Sequence, residues 1–117
     1  MKLTGLFSLL NAVPAYSCLR KNLGDGVGVV KASVPGAVRP FLLAGLWDWL
    51  DAPTVVLVPR PRDAQQLCDQ LQLWLGDDAP IYLYPELDAL PYERLDSDPS
   101  TSHYRLKGLA ALASSAD

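Results

Sequence analysis

Apolar side chains recur at two spacings along the chain, and the spacing separates predicted helices from predicted strands. Apolar positions at i, i+3, i+4 and i+7 form one side of a helix, and they predict helices at 2–11, 14–23, 37–50, 60–76 and 101–116. Short β-branched or aromatic runs bounded by turn residues predict buried strands at 27–33, 52–59 and 79–85. Ser100 or Thr101 is expected to cap the last helix through its hydroxyl group.

The order of these elements is two helices, then β-α-β-α-β, a connector and a last helix. Strands separated by helices of about 15 to 20 residues predict right-handed crossovers and a parallel sheet. We therefore predict an α/β fold of the P-loop NTPase-like, RecA-like kind, with a parallel sheet flanked by helices. Three strands make a thin sheet, and the chain stops where another strand is expected. Residues 1–117 are accordingly interpreted as an incomplete fragment of one domain.

The segment 29–47 has the strand–loop–helix order in which phosphate-binding loops occur. A working loop has the pattern G-x-x-x-x-G-K-[ST], whose glycines let backbone N–H groups approach the phosphates. In this frame the first glycine, second glycine, lysine and hydroxyl positions are taken by Ser33, Val38, Arg39 and Pro40, and only Gly36, inside the loop, is a glycine.

Each replacement in this loop removes part of the phosphate chemistry. Val38 adds a branched side chain where the backbone should curl around a phosphate, and Pro40 lacks both the hydroxyl group and the N–H group. Arg39 keeps the charge, but on a large planar group instead of a compact ammonium. We predict a degenerate nucleotide loop at 32–41 without useful ATP binding. The simpler alternative is a strand-to-helix connector with an incidental arginine.

Composition limits the classes of function. Half of the 117 residues are apolar, the net charge is −3 and the isoelectric point is about 4.9, which argues against a domain that mainly grips nucleic-acid phosphates. The apolar start of the chain is interrupted by polar residues, so neither a signal peptide nor a membrane span is expected. We predict a cytoplasmic protein whose two cysteines, Cys18 and Cys68, are buried apolar residues without a metal.

Other candidate chemistry is weak. His103 stands alone near the start of a predicted helix, which favours a solvated or capping role over catalysis. Arg60 and Arg62 form a small basic spot at a helix entry, where contact with a partner is the alternative to a plain surface role. An acidic cluster in the connector is interpreted as solvated turn residues, with metal binding or acid–base catalysis as the alternative; its members are Glu86, Asp88, Glu93, Asp96 and Asp98. We predict no catalytic residue and no metal site.

The segment 81–112 holds the most specific pattern. A predicted strand ending in an aromatic residue and a proline is followed by an acidic connector, D-x-L-P-Y-E-R-L-x-x-D-P, and then by a helix that opens R-L-x-x-L. The matching residues are Asp88, Leu90, Pro91, Tyr92, Glu93, Arg94, Leu95, Asp98 and Pro99, followed by Arg105, Leu106 and Leu109. This pattern resembles the N-terminal region of the bacterial transcription-repair coupling factor family, Mfd, and the similarity runs from about Leu6 to the end of the chain.

The resemblance implies a UvrB-like N-terminal domain, similar to domain 1a of the excision-repair protein UvrB, with an inactivated nucleotide loop. The four replaced loop positions agree with that. In UvrB the equivalent connector leads into a long aromatic hairpin that clamps DNA. Here only about a dozen residues separate Tyr92 from Tyr104, too few for such a hairpin, so a DNA clamp is not expected in this segment.

The function implied by the resemblance is non-catalytic. The chain would support UvrA recruitment to lesions where RNA polymerase has stalled, which is transcription-coupled nucleotide excision repair. The parent protein would be a double-stranded-DNA translocase driven by ATP and magnesium in a C-terminal motor, and UvrA would bind mainly a neighbouring inserted domain. This chain would pack against other domains of that protein. Two alternatives are the first part of an active ATP-dependent UvrB-like or helicase-like domain, and a stand-alone small α/β interaction module.

Overall fold

The structure, a computed structural model, describes residues 3–26, 28–87, 92 and 98–115. The α-helices in these ranges are α1 (Pro14–Gly24), α2 (Arg39–Leu50), α3 (Pro61–Leu75) and α4 (Pro99–Ser115). A 3₁₀ helix at Thr4–Ala12 precedes α1, and a 3₁₀ turn at Gly36–Val38 leads directly into α2. The structure thus confirms four of the predicted helices to within two residues at each end, while the first is a 3₁₀ helix instead of an α-helix.

Prolines and left-handed backbone angles mark the helix ends. Pro14 and Pro40 lie in the first turns of α1 and α2, where a missing N–H group costs nothing. Asp51 ends α2 with φ 47° and Gly76 follows α3 with φ 93°. Both donate their N–H groups to the carbonyl four residues back, at 3.1 and 2.8 Å. These left-handed residues satisfy helix-terminal carbonyls and turn the chain away from each helix.

The predicted parallel sheet is wrong. The described ranges contain helices, turns and coil but no β-strand, and the segments predicted as strands at 27–33, 52–59 and 79–85 form no ladder there. A strand is stable only when a neighbour accepts and donates its backbone hydrogen bonds, and a β-branched run cannot specify that neighbour. Val55 and Leu57 are 66% and 91% exposed, so a run that looks like a buried strand lies open to solvent. The chain is therefore all-helical over its described part.

The first of two compact units comprises Met1–Ala52 and Gln70–Ala79. Its buried apolar side chains include Leu10, Tyr16, Ala44 and Leu75. Around them three aromatic rings pack together: the centroids of Phe41 and Trp74 are 4.7 Å apart, and Phe7 lies 5.8 and 6.3 Å from them. The N–H group of Leu3 also donates to the carbonyl of Trp74 at 3.2 Å. Aromatic contacts thus join the 3₁₀ helix, α2 and the end of α3.

The second unit comprises Pro53–Asp69 and Pro80–Asp117, so α3 contributes its first part to this unit and its last part to the other. Helix α4 carries the buried residues Thr101 and Gly108. Tyr82 and Tyr84 lie against Gly108: a Cβ atom built there would be 3.9 Å from Tyr82 Cβ and 3.6 Å from Tyr84 Cδ2. Helix α4 thus contacts the segment 80–87.

Candidate functional site

The predicted nucleotide loop is closed by its own hydrogen bonds. The N–H group of Val38 donates to the carbonyl of Pro35 at 2.9 Å, and that of Arg39 donates to the carbonyl of Gly36. Pro40 has no N–H group. A phosphate loop works through backbone N–H groups that point at the ligand, and in this turn those of Val38 and Arg39 are already engaged.

The side chains of the loop complete this description. Ser33 and Arg39 are exposed, whereas Pro40 is buried. A side chain at Gly36 would meet nothing within 4 Å, and its φ is not in the left-handed region, so the position does not require glycine. The predicted strand before the loop is coil over residues 28–33. The residues of this loop therefore do not fit a nucleoside triphosphate with magnesium.

The connector motif is described in part. Tyr92, Asp98, Pro99 and Arg105 lie within the described residues, and Tyr92 is 81% exposed. The other matched connector positions lie outside them; these are Asp88, Leu90, Pro91, Glu93, Arg94 and Leu95. The motif therefore presents an aromatic side chain to solvent at its centre and enters α4 at its end.

Asp98 caps α4. Its Oδ1 accepts a hydrogen bond from the N–H group of Ser100 at 2.9 Å, and its carbonyl accepts one from Ser102 at 3.4 Å. Hydrogen bonds from the backbone N–H and the hydroxyl of Ser100 lower the pKa of the Asp98 carboxyl, because they stabilise its charged form. The expected cap at Ser100 or Thr101 is wrong, since the helix begins at Pro99, which fits the first helical position.

Arg105 links α4 to the residues that precede the connector. Its Nη1 donates to the carbonyl of Pro85 at 2.6 Å, and its guanidinium carbon lies 4.1 Å from the centroid of the Tyr84 ring. Tyr84 and Pro85 are the aromatic–proline pair of the sequence motif. Two parts of the motif separated by about 20 residues thus contact each other. The motif identified Arg105, but nothing in it revealed these partners.

A second arginine joins elements in the first unit and was not found by sequence reasoning. The guanidinium of Arg20 lies 4.6 Å from the ring centroid of Trp49 and 5.8 Å from that of Tyr16, and its Nη1 donates to Asn11 Oδ1 at 3.2 Å. Burial raises the pKa of Tyr16, with Arg20 acting in the opposite direction. The i, i+4 spacing of Tyr16 and Arg20 on α1 could have predicted their contact. The contact of Arg20 with Trp49 could not be predicted in this way, because Trp49 lies on another helix.

The remaining candidates that the structure describes form no catalytic or metal-binding cluster. His103 is exposed, and its ring centroid lies 6.1 Å from that of Tyr104. Arg60 pairs with Asp63 at 2.9 Å on an exposed helix end. Over the part of the chain that the structure describes, no group of three or more His, Cys, Asp or Glu residues could hold a metal ion. Of the acidic cluster, Glu86 and Asp98 are described and exposed, and Asp88, Glu93 and Asp96 lie outside.

The two cysteines differ. Cys68 is half-buried. Burial, and to a smaller extent the negative charge of the nearby Asp69, raises the pKa of the Cys68 thiol. The thiol is therefore a poor nucleophile. Cys18 is exposed, so the expectation that both cysteines are buried is wrong for Cys18.

Comparisons of this chain with protein-family models, with curated proteins and with solved structures gave no match. None of the helices in the described ranges is long and apolar enough to cross a membrane. The resemblance in the connector is thus carried by its residues alone.

Proposed function

We propose that this chain is a non-catalytic, cytoplasmic module of the transcription-repair coupling factor family that supports UvrA recruitment to lesions where RNA polymerase has stalled. The observation that carries the proposal is the contact of Arg105 with Tyr84 and Pro85. It gives a physical role to residues on both sides of the connector, which is the segment with the specific family pattern. The proposal rests on this motif and requires no nucleotide-binding sheet.

A docking role fits the exposed residues better than a catalytic one. Tyr92 is largely exposed at the centre of the motif, and exposed tyrosines are frequent anchors of protein interfaces. The loop at 32–41 has two of its N–H groups engaged within its own turn and a proline at the next position. In the whole protein, ATP, magnesium and double-stranded DNA would be handled by the C-terminal motor, and UvrA mainly by the neighbouring inserted domain.

The test measures UvrA retention by the coupling factor that carries this chain. Tyr92→Ala is expected to reduce retention about fivefold or more, because a buried interface anchor contributes about 1 kcal/mol or more. Tyr104→Ala is the matched control, since Tyr104 is a half-exposed tyrosine outside the matched positions, and it should retain UvrA to within about twofold. Equal retention by the wild-type and Tyr92→Ala proteins would contradict the docking role.

A nucleotide titration tests the non-catalytic part of the proposal. The 117-residue chain is titrated with a fluorescent ATP analogue, with and without magnesium. We expect no saturable binding below about 1 mM, an affinity that corresponds to only about −4 kcal/mol. Micromolar, magnesium-dependent binding would favour the active UvrB-like alternative instead.

A further inference from the structure

The segment 81–87, here called the strap, forms few hydrogen bonds with the other described residues of the second unit. Among the hydrogen bonds between described residues, its backbone takes part in one, in which the Pro85 carbonyl accepts from Arg105 Nη1 at 2.6 Å. The strap forms no ladder with another described segment. Among the described residues, the Arg105 side chain rather than a backbone network therefore holds the strap.

The side chains of the strap contact α4 within one helical turn, at Arg105 and Gly108. The ring of Tyr84 lies under the Arg105 guanidinium at 4.1 Å. One turn along, Gly108 is buried and leaves room for Tyr82 and Tyr84 to approach the helix backbone. Both tyrosines remain about half exposed, at 45% and 50%. Arg105 thus takes part in both the hydrogen bond and the cation–π contact, while Gly108 supplies only space.

We propose that the strap opens and closes on α4 as one unit and that Arg105 is the latch that holds it closed. Segments with few buried contacts and few backbone hydrogen bonds open at low free energy, without global unfolding. Here both polar contacts are lost together when Arg105 leaves, because they share its guanidinium. Opening exposes Tyr82, Tyr84 and the Gly108 surface of α4. This device rests on the same Arg105 contact as the proposed function, but it concerns the chain alone, and its test does not involve UvrA.

Limited chymotrypsin digestion, followed site by site with mass spectrometry, tests the latch. Cleavage after Tyr82 and Leu83 reports the population of the open strap when opening is fast. The Tyr84–Pro85 bond is not a chymotrypsin site, because proline follows the tyrosine. Arg105→Ala should raise the initial cleavage rate at these sites about tenfold or more. Arg105→Lys should give an intermediate rate, since lysine keeps the charge and a donor but cannot stack as a plane.

Two controls make the digestion decisive. Arg62→Ala removes an exposed arginine of α3 in the same unit and should leave the cleavage rate unchanged. Far-ultraviolet circular dichroism of Arg105→Ala should keep the helical signal. An unchanged cleavage rate in Arg105→Ala would overturn the proposal. Loss of the helical signal would overturn it as well, because the strap would then not be separable from α4.

A designed disulfide gives an independent measurement. The Cβ atom built at Gly108 lies 3.9 Å from Tyr82 Cβ, close to the mean of about 3.8 Å in disulfides. In a chain that carries Cys18→Ser and Cys68→Ala, the pair Tyr82→Cys and Gly108→Cys should cross-link with oxidised glutathione. The oxidised protein should resist cleavage after Leu83 even with Arg105→Ala, and reduction should restore cleavage. Failure to cross-link, or equal cleavage of oxidised and reduced Arg105→Ala, would overturn the latch.

Discussion

Gly45 and Gly108 are both buried in the middle of helices, yet they meet different neighbours. A Cβ atom at Gly45 would lie 2.7 Å from Leu10 Cδ1 and 3.8 Å from Phe7. A Cβ atom at Gly108 would meet Tyr84 at 3.6 Å, an ordinary van der Waals distance. A side chain at Gly45 thus requires Leu10 to shift, whereas one at Gly108 fits without a shift, a difference that the sequence could not reveal.

Substituting alanine at the two glycines should therefore have opposite effects. Gly45→Ala is expected to lower the free energy of unfolding by about 1 to 2 kcal/mol, because Leu10 must shift within a packed site and the gain in helix propensity offsets only part of this cost. Gly108→Ala should be neutral or stabilise the protein by up to about 1 kcal/mol. Urea unfolding of both variants checks this, and equal destabilisation by the two substitutions would contradict it.

The cap at Asp98 predicts a pH dependence of α4. The folded-state pKa of Asp98 is below its ordinary value of 3.8, so the cap stabilises the folded chain above about pH 4 and its contribution is lost as the pH falls through the folded pKa. Asp98→Asn keeps an equally good capping oxygen without the charge. Between about pH 5 and pH 3, the wild-type melting temperature should fall more steeply than that of Asp98→Asn. Parallel pH profiles would show that Asp98 does not cap α4.

At the scale of elements, Arg20 joins three pieces of the first unit. It belongs to α1, stacks on Trp49 of α2 and donates to Asn11 of the 3₁₀ helix. Arg20→Ala should lower the free energy of unfolding by about 1 kcal/mol, and Arg20→Lys by about half as much, since its ammonium cannot stack as a plane. Unfolding followed by tryptophan fluorescence measures both effects. Lys21→Ala is the control, because Lys21 is an exposed neighbour on α1; an effect as large as that of Arg20→Ala would contradict the stacking role.

The elements also show what periodicity can and cannot predict. The bounds of α1 and α3 follow from apolar spacing with Pro14 and Gly76 as end signals, since a helix makes its own backbone hydrogen bonds. The three β-branched runs gave the wrong prediction because a strand depends on a partner that lies elsewhere in the chain. For the same reason the motif includes Arg105 but does not predict the tertiary contact of Arg105 with Tyr84 and Pro85.

At the scale of the whole molecule, the chain consists of two units, each with its own packing, and α3 contributes to both. In the first, Trp74 brings the end of α3 to Phe7 and Phe41. In the second, α4 holds the strap through Arg105. Chemistry that a nucleotide enzyme would need is not assembled in the loop at 32–41. The proposed docking role and the latch therefore both lie in the second unit, on and before α4.

One measurement tests the helical architecture most directly: a nuclear Overhauser spectrum of the isotope-labelled chain, read between residues 53–58 and 80–85 of the second unit. We expect contacts between the Tyr84 ring protons and the Gly108 Hα protons, which lie together in the structure. We expect no regular ladder of amide and Hα contacts between the two segments, because neither belongs to a strand. A continuous parallel ladder, with the spacing of about 4.7 to 4.9 Å between neighbouring strands, would contradict the all-helical structure and restore the sheet that the sequence pattern predicts.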